Sequence, residues 1–265
     1  MYYLGLDIGS LSCDAVLLDE EANTVAWTVV PTGARNLESI ARARAIVLSD
    51  AGVDSKEIAA VVATGYGRAR VEDKLAAVTE ITCHARGITH QLPGTELLVD
   101  IGGQDSKAIL LDGAGKVAEF TMNDKCAAGT GRFLEAMARA LEVDLETLSN
   151  LDVEATGDLT LSSMCTVFAE SEVVSLIAEG TPRAEIARGL NRAIAARTQS
   201  LVKRVERNPK GRRIAMSGGV ARNPGVVRAL AEAIGSEITL PDHPDTIGAL
   251  GAALIARDRM NRQPG

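Results

Sequence analysis

Two of the four cysteines stand where a thiolate could do chemistry. Cys126 lies in N-D-K-C-A-A-G-T-G-R-F, residues Asn123 to Phe133, and Cys165 lies in S-S-M-C-T-V-F-A-E-S-E. Each precedes a segment of helical periodicity, and the start of a helix stabilises a negative centre through its dipole and free N–H groups. An iron–sulfur cluster held by thiolates alone is such a centre, and a [4Fe–4S] cluster takes four cysteines. The two candidates are 39 residues apart and there is no C-x-x-C pair, so the local ferredoxin and zinc spacings are absent. The count closes if two copies of the chain meet on a two-fold axis, each giving Cys126 and Cys165. Two unrelated free thiols, or a zinc ion bridging two chains, fit the same residues. Cys83, beside His84, reads as a small buried hydrophobe, and Cys13 and Cys83 belong to the other half of the chain.

A second constellation is an internal repeat. Leu4 to Asp19, L-G-L-D-I-G-S-L-S-C-D-A-V-L-L-D, matches Leu97 to Asp112, L-L-V-D-I-G-G-Q-D-S-K-A-I-L-L-D, at an offset of 93 residues. Asp7-Ile8-Gly9 falls on Asp100-Ile101-Gly102. Each copy predicts a strand, a tight polar turn and a returning strand. Glycine lets backbone approach a ligand, and successive N–H groups there make an anion site. The carboxylate before the turn can hold Mg²⁺, usually through water. Two such turns can clamp a polyphosphate and its metal, and ordinary glycine turns after apolar strands are the plainer alternative. A repeated hairpin predicts two lobes of similar build.

The remaining pattern supplies elements to carry these residues. A third strand is expected over Thr24 to Val30, then a helix with Leu37, Ile40, Ala41 and Val47 on one face, ended by Gly52 and Asp54. A strand over Ile58 to Ala63 runs into Thr64-Gly65-Tyr66-Gly67-Arg68, either a ligand-lining loop or a plain turn. A strand over Val117 to Met122 leads to the Cys126 stretch. Gly129-Thr130-Gly131 opens a helix carrying Phe133, Leu134, Met137, Ala138 and Leu141, and its free N–H groups suit an anion. Thr166 to Ala178 predicts a helix directly after Cys165. Thr181-Pro182 is expected to cap the next one, whose apolar face is Ile186, Leu190, Ile194, Leu201 and Val205. Arg213 to Met216 reads as a strand entering the glycine-rich loop Ser217 to Pro224, which admits a flat ligand or a phosphate and opens a helix. Ile238 to Leu240 is a further strand, Thr246 to Ala256 a small-residue helix, and residues 259–265 a polar, frayed end.

Composition bounds the class. The 265 residues are 46% hydrophobic and 24% charged, as in a globular protein, but only 3% aromatic, so the core must be aliphatic. A net charge of −7 argues against a nucleic-acid binder. No apolar run approaches the ~18 residues of a membrane span, and the chain enters a strand pattern without a leader. A cytoplasmic protein with reduced or metal-bound thiols is expected.

Together these motifs, with A-T-G-Y-G-R at 63–68, D-I-G-G-Q-D at 100–105 and S-G-G-V-A-R-N at 217–223, resemble the activator ATPases of 2-hydroxyacyl-CoA dehydratases, a family that includes the ATP-binding subunits of benzoyl-CoA reductase. The resemblance spans essentially the whole chain. It implies an α/β protein of two ribonuclease-H-like lobes, the actin, hexokinase and heat-shock chaperone fold, with nucleotide in the interlobe cleft. Lobe I is expected over 1–94 plus 244–265 and lobe II over 95–243. The resemblance also implies a homodimer with one [4Fe–4S] cluster on Cys126 and Cys165 of each chain. ATP or ADP would meet Asp7, Gly9, Ser10, Leu11 and Ser12 in the first turn and Asp100, Gly102, Gly103, Gln104 and Asp105 in the second. Gly129, Thr130, Gly131, Gly218, Gly219 and Asn223 complete the nucleotide contacts, with Gly218 and Gly219 facing the adenosine. Mg²⁺ would sit near Asp7 and Asp100 through water, and Gln104 or Asp105 would orient or deprotonate the attacking water. The implied function is ATP-driven one-electron transfer, from ferredoxin or flavodoxin to an acyl-CoA dehydratase or reductase with its own iron–sulfur centres. A small-molecule kinase of the same fold, of amino-sugar type, shares the hairpins but needs no cysteines. A non-enzymatic ATP-dependent regulator of the actin-like class is a further alternative.

Overall fold

Both copies of the repeat fold as antiparallel hairpins. Strand β1 (Tyr2–Ile8) pairs with β2 (Ser12–Leu18), and β6 (Leu97–Ile101) pairs with β7 (Ser106–Leu111). The computed structural model describes residues 1–161 and 165–262, so Ser162, Ser163 and Met164 of the Cys165 motif, and the last three residues of the polar end, lie outside the described residues.

Each hairpin is the middle of a five-stranded sheet. The first takes β3 (Thr24–Pro31), β4 (Ile58–Thr64) and β5 (Ala76–Ala77) in the order β3-β2-β1-β4-β5, with β4 parallel to β1. The second takes β8 (Val117–Asn123), β9 (Ile214–Ser217) and β10 (Ile238–Thr239) in the order β10-β9-β6-β7-β8, with β9 parallel to β6. Read from the other end the second order is the first, so the sequence repeat is a repeat of topology, the two-lobed ribonuclease-H-like arrangement. By internal contacts one unit is Met1–Glu96, Leu111–Ala118 and Pro241–Gly265, and the other is Leu97–Leu110 and Glu119–Leu240. The strip 111–118 goes with the first unit because its turn packs on helix α2 (Glu80–Gln91), where Thr89 donates to the Gly115 carbonyl.

Helices cover the sheets, so the central strands read as apolar runs. In the first unit Leu4, Leu6 and Ile8 share a core with Ile40, Ala43 and Val47 of α1 (Asn36–Ala51). On the opposite face Gly5 lies against the Ala249 carbonyl of α8 (Ile247–Asn261). In the second unit Leu97, Val99 and Ile101 pack in one core with α3 (Gly131–Ala140), α6 (Arg183–Val205) and α7 (Pro224–Ile234). Each large aliphatic side chain so buried contributes about 1.5–3 kcal/mol.

Three expectations need correction. The buried residues of α1 are Ser39, Ile40, Ala43 and Val47, whereas Leu37 and Ala41, expected on its apolar face, are exposed. Helix α8 continues through Asn261, so only residues beyond 262 remain of the polar end expected to fray. Thr181 does not cap α6. Gly180, at φ +82°, ends helix α5 (Thr166–Ala178), the Thr181 N–H closes on the Leu176 carbonyl, and Pro182 stands in the N-cap position. Helices α2 and α4 (Leu145–Leu151) lack the long apolar periodicity that announces a helix in sequence. Among the described residues no helix is long and apolar enough to cross a membrane.

Candidate nucleotide site and thiol pair

The two hairpin turns are built alike. Gly9 N–H donates to the Ser12 carbonyl at 2.9 Å, and Gly102 N–H donates to the Asp105 carbonyl at 3.0 Å, the same bond one repeat later. Gly9, Ser10, Leu11 and Ser12 are half-buried, as are Gly102 and Gly103, while Gln104 is exposed at its turn's tip. Each turn is closed from the side by a glycine after the parallel strand. Gly65, at φ +79°, lies against Asp7 and the Ile8 carbonyl, and Gly218, at φ +85°, lies against Asp100 and the Ile101 carbonyl. A Cβ at either position would overlap backbone, so Gly218 is demanded by the packing of its own unit before any adenosine is considered.

The carboxylates are not equivalent. Asp7 pairs across β1–β2 with Asp14, and Asp100 pairs across β6–β7 with Lys107, so the repeat places a lysine where the first copy has an acid. The Lys107 ammonium, 2% exposed, lies 3.0 Å from Asp100 Oδ2 and 2.8 Å from Asp105 Oδ1. Ser217 Oγ donates to Asp100 Oδ1 at 2.7 Å. Both Asp100 oxygens are therefore engaged within the unit, and Asp105 is buried in the ion pair rather than open to a substrate water. In the first unit burial and then the neighbouring Asp7 push the Asp14 carboxyl well above the usual carboxylate range. Its Oδ1 is buried without a hydrogen-bond partner. Buried His84 packs nearby, its Nδ1 2.9 Å from the Glu80 carbonyl, and a Cβ at Gly248 would touch both His84 and Asp7.

The start of α3 does something the sequence did not announce. Gly131 N–H donates to the Gly102 carbonyl and Arg132 N–H to the Gly103 carbonyl, both at 2.9 Å. Fully buried Thr130 donates its hydroxyl toward the Gly103 carbonyl at 2.9 Å and the Ala127 carbonyl at 2.6 Å. The first N–H groups of the helix, expected to await an anion, are thus spent on the second hairpin turn. Gly129, at φ +90°, makes the bend into this junction. Asn223 is likewise used locally, its Oδ1 accepting from Val226 N–H as the cap of α7. Gly219 begins a single helical turn between Gly218 and Asn223.

Cys126 and Cys165 are exposed, whereas Cys13 and Cys83 are fully buried and burial pushes both of their thiols up to about 12. Cys126 sits in the loop before α3, with its carbonyl held by Asn123 Nδ2 at 3.1 Å. Cys165 is the N-cap residue of α5. Both thiols lie within electrostatic reach of one guanidinium, Arg197 of α6. Among the described residues no group of three or more His, Cys, Asp or Glu side chains could hold a metal within the chain. The donor set one chain offers is a thiol pair, which fits half of a four-thiolate cluster and no complete one.

The chain matches the BadF/BadG/BcrA/BcrD ATPase family over residues 4–256. It is 44% identical over 265 residues to the activator of lactoyl-CoA dehydratase of Anaerotignum propionicum, covering 99% of this chain and 100% of that one. It is 30% identical over 263 residues to a benzoyl-CoA reductase polypeptide of Thauera aromatica, covering 94% and 91%. The structure of the activator of the 2-hydroxyisocaproyl-CoA dehydratase from Clostridium difficile with bound ADPNP superposes with a TM-score of 0.93 at 43% identity, covering 98% and 96%. A ROK family glucokinase from Streptomyces griseus, at 16% identity and a TM-score of 0.61 over 97% and 100%, shares the fold alone, that of the actin and hexokinase class. With sheet topology, paired turns and near-complete alignments in agreement, the chain belongs to the BadF/BadG/BcrA/BcrD ATPase family.

Proposed function

We propose that this protein is an ATP-driven one-electron donor. It works as a homodimer in the cytoplasm, takes electrons from ferredoxin or flavodoxin, and passes them to an acyl-CoA dehydratase or reductase. The observation that carries this reading is the junction of the second hairpin turn with α3. Three donors, Gly131 N–H, Arg132 N–H and Thr130 Oγ, fasten the turn to a helix that starts five residues after Cys126. A turn that reads the phosphate of a nucleotide and a cysteine that reads redox state then belong to one rigid piece.

The residue roles follow. Gly9 to Ser12 and Gly102 to Gln104 present backbone to the phosphates of ATP or ADP. Mg²⁺ would be held through water from the Asp7 end, because the charge of Asp100 is already met by Lys107. Gln104, exposed at the turn tip, orients the attacking water, and Asp105 braces the turn from below. Cys126 and Cys165 from each of two chains hold one [4Fe–4S] cluster, which when bound supplies one-electron chemistry at low potential. Loss of the γ-phosphate shifts the Gly102–Gly103 turn, and the α3 start carries that shift to Cys126.

Anaerobic purification tests this. The expected product is brown, with roughly four irons per two chains, as one such cluster requires. Cys126→Ser and Cys165→Ser should each lose the iron and keep ATP binding. ATP-dependent reduction of an acyl-CoA dehydratase should vanish with the iron. A colourless, iron-free dimer after anaerobic reconstitution would sink the reading.

A further inference from the structure

We propose that Arg197 is the counter-charge of the thiol site, a positioning residue that holds the bound cluster's reduction potential up. This rests on the reading that Cys126 and Cys165 bind a cluster. Two contacts place the side chain, and a cavity borders it. Its stem runs past the bend before α3, where a Cβ on Gly129 would meet Arg197 Cδ at 3.5 Å. Its guanidinium carbon lies 5.7 Å from the centre of the Phe133 ring, a cation–π distance. Its outer side borders a cavity of about 350 Å³ shared with Leu161, Gly189 and Arg192. Leu161 is four residues before Cys165 and Gly129 three residues after Cys126, so the arginine touches one described neighbour of each cysteine in sequence.

The electrostatics agree with that placement. Burial weakens the guanidinium's hold on its proton, and the charges of Cys126 and Cys165 strengthen it. A half-buried cation costs desolvation, and the thiolates of a bound cluster would set negative charge beside it. A four-thiolate [4Fe–4S] centre gains one negative charge on reduction. A fixed cation beside it stabilises the reduced form more than the oxidised form and raises the potential, as charge and hydrogen bonds around such sulfurs do. In a two-fold dimer each chain contributes one Arg197, so the site is flanked twice.

Arg197→Gln keeps the stem and polar head and removes the charge, whereas Arg197→Lys keeps the charge in a site with open volume beside it. The readouts are iron per chain and the midpoint potential from a spectroscopic redox titration. The expected result is full iron with a potential lowered by about 59 mV or more in Arg197→Gln, a tenfold shift of the one-electron equilibrium. Arg197→Lys should stay close to the parent protein. Loss of iron in Arg197→Gln alone, with an unchanged thermal melt and iron kept in Arg197→Lys, also supports the counter-charge. An unchanged potential in iron-replete Arg197→Gln overturns it, as does equal loss of iron in both variants. Iron-free parent protein would instead fail the cluster reading itself, a different outcome from an unchanged potential.

Discussion

At the scale of single residues the second hairpin depends on Lys107. It is among the largest fully buried side chains, and it faces two carboxylates, Asp100 and Asp105. Removing one partner of a buried ion pair leaves charge with neither water nor counter-ion, which costs about 3–5 kcal/mol. Lys107→Met should therefore lose about 3–5 kcal/mol in urea unfolding, while exposed Lys116→Met stays within about 0.5 kcal/mol. A loss below about 1 kcal/mol would mean that the pair is solvated in solution and Asp105 is free to act on water. The sequence held a clue to this arrangement. Superposing the two repeats sets Lys107 on Asp14, and a lysine inside S-K-A-I-L-L cannot face an apolar core alone. Gln104 and Asp105 were alike as letters, and only the buried ammonium separates them. Arg197 was harder to see, because it shares α6 with an apolar face and its partners come from segments more than thirty residues away in sequence.

At the scale of elements the two hairpins, their third strands and helices α1, α3, α5 and α8 could be read from periodicity and punctuation, because each has a long apolar pattern ended by glycine or a polar turn. What periodicity misses is contact chosen by absence. Helices α2 and α8 approach backbone to backbone: Gly251 lies on the Cys83 carbonyl and Gly87 on the Ile247 carbonyl. The small residues of I-G-A-L-G-A-A-L suggested close packing but did not say on what. This contact matters for the site because Gly248 of α8 lies against both Asp7 and the buried His84 of α2. Gly251→Ala drives a methyl group into backbone that cannot rotate away. It should cost about 3 kcal/mol, the upper end for overpacking, and appear as a lowered thermal midpoint. Gly113→Ala, where an added Cβ meets nothing within 4 Å, is the matched control and should be near neutral. Equal melts for the two variants would mean that the helices part easily.

At the scale of the molecule the proposed cluster takes two chains, because each offers only a pair of thiols. Two copies each carrying −7 repel through water, so their association needs apolar surface close to the thiols. Helix α5 offers it. Only Ala169 and Val173 of that helix are buried, while Val167 and Phe168, two and three residues after Cys165, are 67% and 68% exposed, and Val174 is exposed one to two turns further on. Isolated exposed hydrophobes need no explanation, but an apolar helical turn beside the proposed cluster ligands would find one in a second copy. Phe168→Glu adds a charge of the same sign to both chains at that point. It should weaken the two-chain species at least tenfold in sedimentation and lower the iron content in step. Its monomer should unfold within about 0.5 kcal/mol of the parent, because the side chain packs on little within its own chain. Nucleotide binding should persist, since the hairpin turns and their braces lie in other segments. A dimer of unchanged affinity with full iron would show that the chains meet elsewhere, and Cys165 would then need a partner that α5 does not supply.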